Sequence, residues 1–398
     1  MELPSVNNCF CCESCVQACP NDAISLIHGR AGFHYPVVQN EKCTHCGLCV
    51  DSCPVAHNPP TQVCKQAFAF QLDEENPALI ESTAGGLFYA LASDFILNKK
   101  GYVFACRLDE RLKSRHFCAE NMDQIKLMHG SKYIHSEIGD CFIQIKEKLE
   151  DNKDVLFVGL PCQVAGLKCY LSRDYDNLLT LDLICSGVPS QSLFDDYIHS
   201  KESEYGLKVN DYRFRDKHDY GWSHTTVVRA KKTDGVDCSC VIPDNRKVSY
   251  YNAFSSKMFS KDVCYQCVYT SPERVSDITT GNFWGIGNIS NEYNSRLGVS
   301  CVLLNTERGI QAFEMIKESG KCQEFTFDQV ARWNHALVSN AGSVVNFKRR
   351  ERLLKVWEEK GWRSLEKQLQ YNWCYYLRNW RYSIKALLRR VKKVLKVA

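Results

Sequence analysis

Residues 154–190 read DVLFVGLPCQVAGLKCYLSRDYDNLLTLDLICSGVPS, and their reading decides the fold. Val155–Val158 is an apolar run of strand length, closed by Gly159, Leu160 and Pro161. A helix through about Leu171 follows, with the proline where a first turn accepts one. A second apolar run, Leu178–Ile184, then leads into Cys185. Strand, helix and strand in this order form a β–α–β unit, whose strands are parallel and joined by a crossover. As neighbours about 4.8 Å apart, they would place Cys162 and Cys185 just past their carboxyl ends. Both cysteines would then lie on the edge where open α/β sheets bind ligands. For either cysteine alone, a buried structural role is the simpler alternative.

Toward the N-terminus, two runs follow one template. The first is Cys9-x2-Cys12-x2-Cys15-x3-Cys19-Pro20 and the second Cys43-x2-Cys46-x2-Cys49-x3-Cys53-Pro54. In bacterial ferredoxins this spacing holds one cubane with three close thiolates and sends the fourth to the other cluster. Cys9, Cys12, Cys15 and Cys53 are therefore expected to hold one [4Fe–4S] cluster, and Cys43, Cys46, Cys49 and Cys19 the second. Zinc sites rarely compress four cysteines in this way. The expected fold class is an α/β body with a mixed or parallel sheet and flanking helices, preceded by a small α+β dicluster ferredoxin domain.

Between head and body lies ESTAGGLFYALASDFILNKKGYVFAC, residues 81–106. It predicts a helix capped by Ser82 or Thr83 and ending near Gly101, then a strand from Tyr102. Gly85 and Gly86 either form a plain turn or leave amides open to a phosphate. A further close pair, Cys264 and Cys267 in CYQC, has two candidate sets of partners. One is Cys238 and Cys240, which would make a four-cysteine zinc site. The other is Cys162 and Cys185, which would make a third cluster.

The chain of 398 residues carries 23 cysteines, an odd number. It opens without a basic region and apolar run, and no stretch has the length of a membrane span. Reduced cysteines in a cytoplasmic protein, binding metal or doing redox work, are the expectation. From Tyr371 onward there are eight Lys/Arg and no Asp/Glu, against a net charge of +4 for the whole chain. The excess positive charge is thus confined to the tail, and the rest is net acidic.

In order along the chain, STAGGLF, GSKYIHS, GLPCQVAGL, DLICSGVPS, RFRDK with GW, and CYQC followed by RVSDITTGNFWGI resemble the motifs of the coenzyme F420 hydrogenase/dehydrogenase beta-subunit family. The likeness runs from about Cys9 to Gly287 and less clearly to about residue 345. It implies FAD beside [4Fe–4S] clusters, with the flavin linking one-electron carriers to a two-electron substrate. By the same resemblance, Ser82, Thr83, Gly85 and Gly86 match a segment near the flavin phosphates. Ser131, Lys132 and Tyr133 match a second flavin-contacting stretch. Cys162, Cys185, Cys264 and Cys267 match the ligands of a cluster beside the flavin, which favours the third-cluster pairing for CYQC. The chain departs from the family at Ser186, where a histidine is common, and at Asn282, where an aspartate is common. Both departures remove an ionisable group.

From Leu377, apolar residues recur at helical spacing with basic residues mostly opposite. Such a helix suits an anionic membrane surface, or docking on a protein. Nucleic acid is not an expected partner, because the acidic body would repel phosphate. The expected organisation is a ferredoxin domain at 1–60, a flavin domain in two parts at 61–155 and 156–345, and a helical region with a basic tail at 346–398. No catalytic side chain is assigned. The expected function is an iron–sulfur flavoprotein oxidoreductase that exchanges electrons with a redox partner protein or ferredoxin. It would exchange a hydride with an F420-like deazaflavin or another small molecule. The alternatives are a non-catalytic electron-transfer subunit, or a membrane-surface interaction protein with structural clusters.

Overall fold

A computed structural model describes residues 3–232 and 235–369, and the chain forms two compact units divided between Asn346 and Phe347. The larger unit is built on one eight-stranded sheet. Its strands in chain order are β1 (Gln66–Leu72), β2 (Tyr102–Leu108), β3 (Ser114–Ala119), β4 (Val155–Gly159), β5 (Leu178–Leu183), β6 (Ile278–Asn282), β7 (Ser300–Leu304) and β8 (Gly320–Phe325). Their spatial order is β8-β1-β7-β6-β5-β4-β2-β3. The four central strands, β2, β4, β5 and β6, pair in parallel, and both flanks are antiparallel. Val155 pairs with Leu178 and Gly159 with Asp182, so the β–α–β unit read from residues 154–190 forms with its strands adjacent.

Alternation along the parallel strands feeds two cores. Leu156 and Val158 face a cluster that includes Leu91, Phe95 and Phe313. Val155 and Phe157 face another that includes Phe142, Val164 and Leu167. Burial on both faces is why these strands read as continuous apolar runs. Helix α1 (Leu87–Ser93) continues through a π turn to Asn98 before β2 begins. Helix α2 (Pro161–Leu171) crosses from β4 to β5. A separate antiparallel sheet of three strands, 207–216, 225–232 and 237–242, carries Cys238 and Cys240.

The head has an antiparallel hairpin, Ile24–His28 with His34–Val38, and two four-residue helices, Ser14–Gln17 and Leu48–Asp51. Left-handed residues precede both helices, Glu13 at φ 62° and Gly47 at φ 83°, so the two cysteine runs share one backbone path. Ser14 Oγ donates to Gly166 O of α2 at 3.0 Å, which fastens the head to the body. The second unit contains the helix Phe347–Leu369, with a break at Gly361. The basic amphipathic tail lies outside the described residues. Among the described residues no helix is long and apolar enough to cross a membrane.

Candidate metal and cofactor sites

A single cavity lined by Phe10, Cys11, Leu26, Pro36 and Pro54 is also lined by Cys9, Cys12, Cys15 and Cys53. These are the four cysteines grouped by spacing for one cubane. In the other group, Cys19 and Cys46 are the thiols that act on Cys49; Cys46 is exposed while Cys19, Cys43 and Cys49 are half-buried. The amide of Cys11 donates to Cys9 Sγ at 3.3 Å, and that of His45 to Cys43 Sγ at 3.4 Å. Both donors are left-handed, at φ 53° and 55°. Amides aimed at sulfur offset negative charge there, as iron–sulfur sites require. The spare Cys11 is thus a turn residue whose amide serves Cys9.

The same turn recurs in the body. Gly187, at φ 88°, donates its amide to Cys185 Sγ at 3.3 Å. Cys185 lies two residues past β5, and Cys162 lies in the first turn of α2 past β4. A 3-10 turn over Asp262–Gln266 carries Cys264, with Cys267 directly after it. Cys185, Cys267 and Cys264 are all among the charges acting on the Cys162 thiol. Burial pushes the Cys264 thiol up to about 12, with Lys261 pulling against it. A metal that binds such thiols must displace their protons. Cys238, by contrast, has its sulfur 3.4 Å from Ala230 O within the three-stranded sheet, and Cys240 is exposed. CYQC therefore meets Cys162 and Cys185 rather than the CSC pair. Among the described residues no three His, Cys, Asp or Glu side chains gather closely enough to hold a single ion. Four cysteine thiols, one of them accepting a backbone amide, are a donor set that suits a cubane.

One residue that sequence reasoning missed fixes this loop. Arg274, 1% exposed, donates to both carboxylate oxygens of Asp182 at 3.0 Å and to Tyr269 O at 2.6 Å. It ties the segment after Cys267 to the end of β5, just before Cys185. No local signal in the sequence pairs Arg274 with Asp182, which lies 92 residues away.

Head and body sites approach each other at α2. A Cβ at Gly166 would stand 2.9 Å from both Cβ and Sγ of Cys12. Cys162 is four residues before Gly166, on the same helix face, and acts on Cys12 electrostatically.

The two stretches expected near a flavin also meet. Ser131 donates to Thr83 Oγ1 through its amide at 2.8 Å and its hydroxyl at 3.0 Å. Two buried ammonium groups flank the junction. Burial lowers Lys132 to about 8 and Lys217 to about 7. Lys132 Nζ donates to Met128 O and His129 O, and Lys217 Nζ to Ala84 O and Leu297 O. His129 Nε2 is buried without a hydrogen-bond partner, a donor or acceptor held ready beside Lys132. Cationic and amide donors of this kind suit a phosphate-bearing cofactor. One expectation needs correction. Gly85 does not offer an open amide, because its N–H donates to Ser300 Oγ at 3.0 Å. Glycine is required there by packing, since a Cβ would lie 1.9 Å from Phe70 O.

Tyr133 stacks on Phe254 with centroids 4.2 Å apart, and its hydroxyl is beside Arg215. The Arg215 guanidinium lies over Trp222 and Trp284 at 5.5 and 5.7 Å, and His224 stacks on Trp284. Trp222 Nε1 donates to Asn282 Oδ1 at 3.2 Å, so the amide at the departure position is held by an indole. Ser186 brings no ring nitrogen to the turn after Cys185.

The fold and these donor sets define an iron–sulfur protein with a dicluster ferredoxin head on a mixed α/β body. Residues 152–329 match the C terminus of the coenzyme F420 hydrogenase/dehydrogenase beta subunit, and residues 8–57 match the 4Fe-4S dicluster domain. Residues 152–329 thus belong to the coenzyme F420 hydrogenase/dehydrogenase beta-subunit family, and the head is a domain for two [4Fe–4S] clusters. An uncharacterized ferredoxin of Methanocaldococcus jannaschii is 32% identical over 80 residues, which are 19% of this chain and 48% of that protein. A ketoisovalerate oxidoreductase subunit of Methanothermobacter marburgensis is 34% identical over 55 residues, 13% of this chain and 70% of that subunit. A chain of the F420-reducing [NiFe] hydrogenase complex from Methanosarcina barkeri superposes with a TM-score of 0.44 at 16% identity, covering 77% of this chain and 91% of that one.

Proposed function

We propose that this chain is the flavin- and iron–sulfur-bearing subunit of a redox complex of the F420 hydrogenase/dehydrogenase kind. In this reading Cys162, Cys185, Cys264 and Cys267 hold a third cluster, and the Thr83–Ser131 junction holds FAD. The observation that carries it is the turn at Cys185–Gly187, which repeats the amide-to-sulfur turns of Cys9–Cys11 and Cys43–His45. When bound, the clusters supply one-electron transfer and FAD supplies the exchange between one- and two-electron chemistry.

The residues divide the work. Exposed Cys46, beside exposed Leu48, presents the outer cysteine set to a protein partner. Cys12 against Gly166, one helical turn from Cys162, brings the inner head site next to the body site. Lys132 and Lys217 supply positive charge for phosphates. Arg215, Trp222 and Trp284 make a wall for a flat, anionic small molecule near Tyr133. Asn282 and Ser186 do not ionise, so the proton that accompanies a hydride would have to come from another group or from water.

The test is anaerobic purification of the full chain followed by denaturation and flavin assay. The reading expects released FAD, and Lys132→Ala should lower flavin retention while leaving iron unchanged. Full iron with no flavin after reconstitution would contradict it.

A further inference from the structure

Two arginines on the strand 207–216 are used differently. Arg213 pairs with Glu81, Asp216 and Asp211 at 3.1, 3.4 and 3.6 Å. Arg215 is 8% exposed, and among the described residues no carboxylate lies within ion-pair distance of it; its Nε donates to Ser223 O at 3.2 Å. The guanidinium lies 5.5 Å from the Trp222 ring and 5.7 Å from that of Trp284, and the two indoles are 5.0 Å apart. Both indoles are half-buried, so each keeps part of its surface open. His224 stacks on Trp284 at 5.8 Å, and its buried Nδ1 has no hydrogen-bond partner. Burial, and then the charge of Arg215, lower His224 to about 4, so the ring is uncharged near neutral pH. The box is held in place. Trp222 Nε1 donates to Asn282 Oδ1 at 3.2 Å, and a Cβ at Gly298 would stand 2.4 Å from the same indole. An unpaired buried cation is expensive unless something negative compensates it.

Trp284 lies just past the carboxyl end of β6, on the edge where open sheets bind ligands. β6 pairs with β5 in parallel, and Ile184 N donates to Thr280 O at 2.9 Å. The strand end that leads to Trp284 therefore runs beside the one that leads to Cys185. We propose that Arg215, boxed by Trp222, Trp284 and His224, is the receptor for the carboxylate of a small conjugated acid, an aryl or enoyl carboxylate whose flat body stacks on the indoles. That this acid is the substrate rests on the flavin reading; that the box binds a carboxylate does not. A guanidinium fork meets a carboxylate through two parallel N–H···O bonds. A monoanion suits the box better than a phosphate, because the box holds one cation. Lys217, two residues on, has its Nζ on Ala84 O and Leu297 O, and the His224 ring is uncharged. Asp244, the acid that acts on His224, is itself paired with Arg246 at 2.7 Å. The Tyr133 hydroxyl beside Arg215 offers a further donor.

The experiment is isothermal titration calorimetry on the anaerobic full-length holoprotein with cinnamate, the uncharged cinnamamide and cinnamyl phosphate. Wild type should bind cinnamate about tenfold to a hundredfold more tightly than the amide, as a charge-assisted hydrogen-bonded pair contributes, and more tightly than the phosphate. Arg215→Met should abolish the preference for cinnamate over the amide. Arg215→Lys, which keeps the charge but loses the fork, should retain only part of it. Trp284→Leu should weaken cinnamate and cinnamamide alike. Flavin and iron contents should match wild type in all three variants. No binding of cinnamate to wild type, equal affinity for the amide, or tighter binding of the phosphate would overturn the proposal. Loss of flavin from Arg215→Met with iron retained would assign the guanidinium to a cofactor phosphate, and would overturn it too. If Arg215→Met does not fold, Arg215→Lys decides, and an undiminished preference for cinnamate there would overturn the fork. A wild type that loads no flavin even after reconstitution would remove the flavin reading, and the preference for carboxylate over amide would still judge the box.

Discussion

Gly166→Ala offers a sharp test of how head and body are joined, because two opposing effects can be weighed. In the middle of α2, exchanging glycine for alanine should gain about 1 kcal/mol of helix propensity. Burying the added methyl should gain roughly 0.8 kcal/mol more. Against this, the new Cβ would stand 2.9 Å from Cβ and Sγ of Cys12, where apolar contacts prefer about 3.5–4.0 Å. Overpacking of this kind costs about 1–3 kcal/mol, and the low end applies only when the neighbour can swing away. Cys12 cannot do so if its sulfur is tethered to a cluster. Its backbone is also held, through Ser14 Oγ bonded to Gly166 O and Ser52 O. The clash should therefore win by roughly 1 kcal/mol, lowering the apparent melting temperature by about 2 °C at fixed scan rate. The EPR signal assigned to the Cys9 set should broaden or shift, and that of the Cys43 set should not. A variant that melts higher than wild type with both signals unchanged would refute the reasoning.

Arg274→Met leaves the Asp182 carboxylate buried and unpaired, which should destabilise by about 3–5 kcal/mol. Adding Asp182→Leu should recover most of that loss in denaturation assays; no recovery would mean that the pair does not act as a unit. His116 is buried with Nε2 2.9 Å from Val158 O, and burial lowers its pKa to about 4. Its folded value lies below its unfolded one, so its stabilisation is complete above pH 6.5 and is lost as pH falls toward 4, by up to about 3 kcal/mol. His116→Gln should flatten that part of the acid-unfolding profile, and an unchanged slope would count against it. Cys238→Ala should retain all iron and release no zinc, whereas stoichiometric zinc lost from both Cys238→Ala and Cys264→Ala would reinstate the zinc site.

Much of the site was legible because its signals are local. The cysteine spacings fix turns within ten residues, and apolar runs flanking a proline-started helix are enough to pair β4 with β5. The sequence left two readings of Gly85 open because what decides its amide is tertiary: the carbonyl of Phe70 and the hydroxyl of Ser300 come from strands distant in sequence. Arg274 with Asp182 was invisible for the same reason. A buried charge declares its partner only once the chain is folded. Cys11 falls between these cases, since its role lies in a left-handed backbone angle that a cysteine seldom reveals.

Iron and acid-labile sulfide per chain, measured on anaerobically reconstituted wild type and on Cys185→Ala, test the third site most directly. The account predicts about twelve irons in wild type, from three cubanes, and about eight in Cys185→Ala. Eight in both proteins would contradict it.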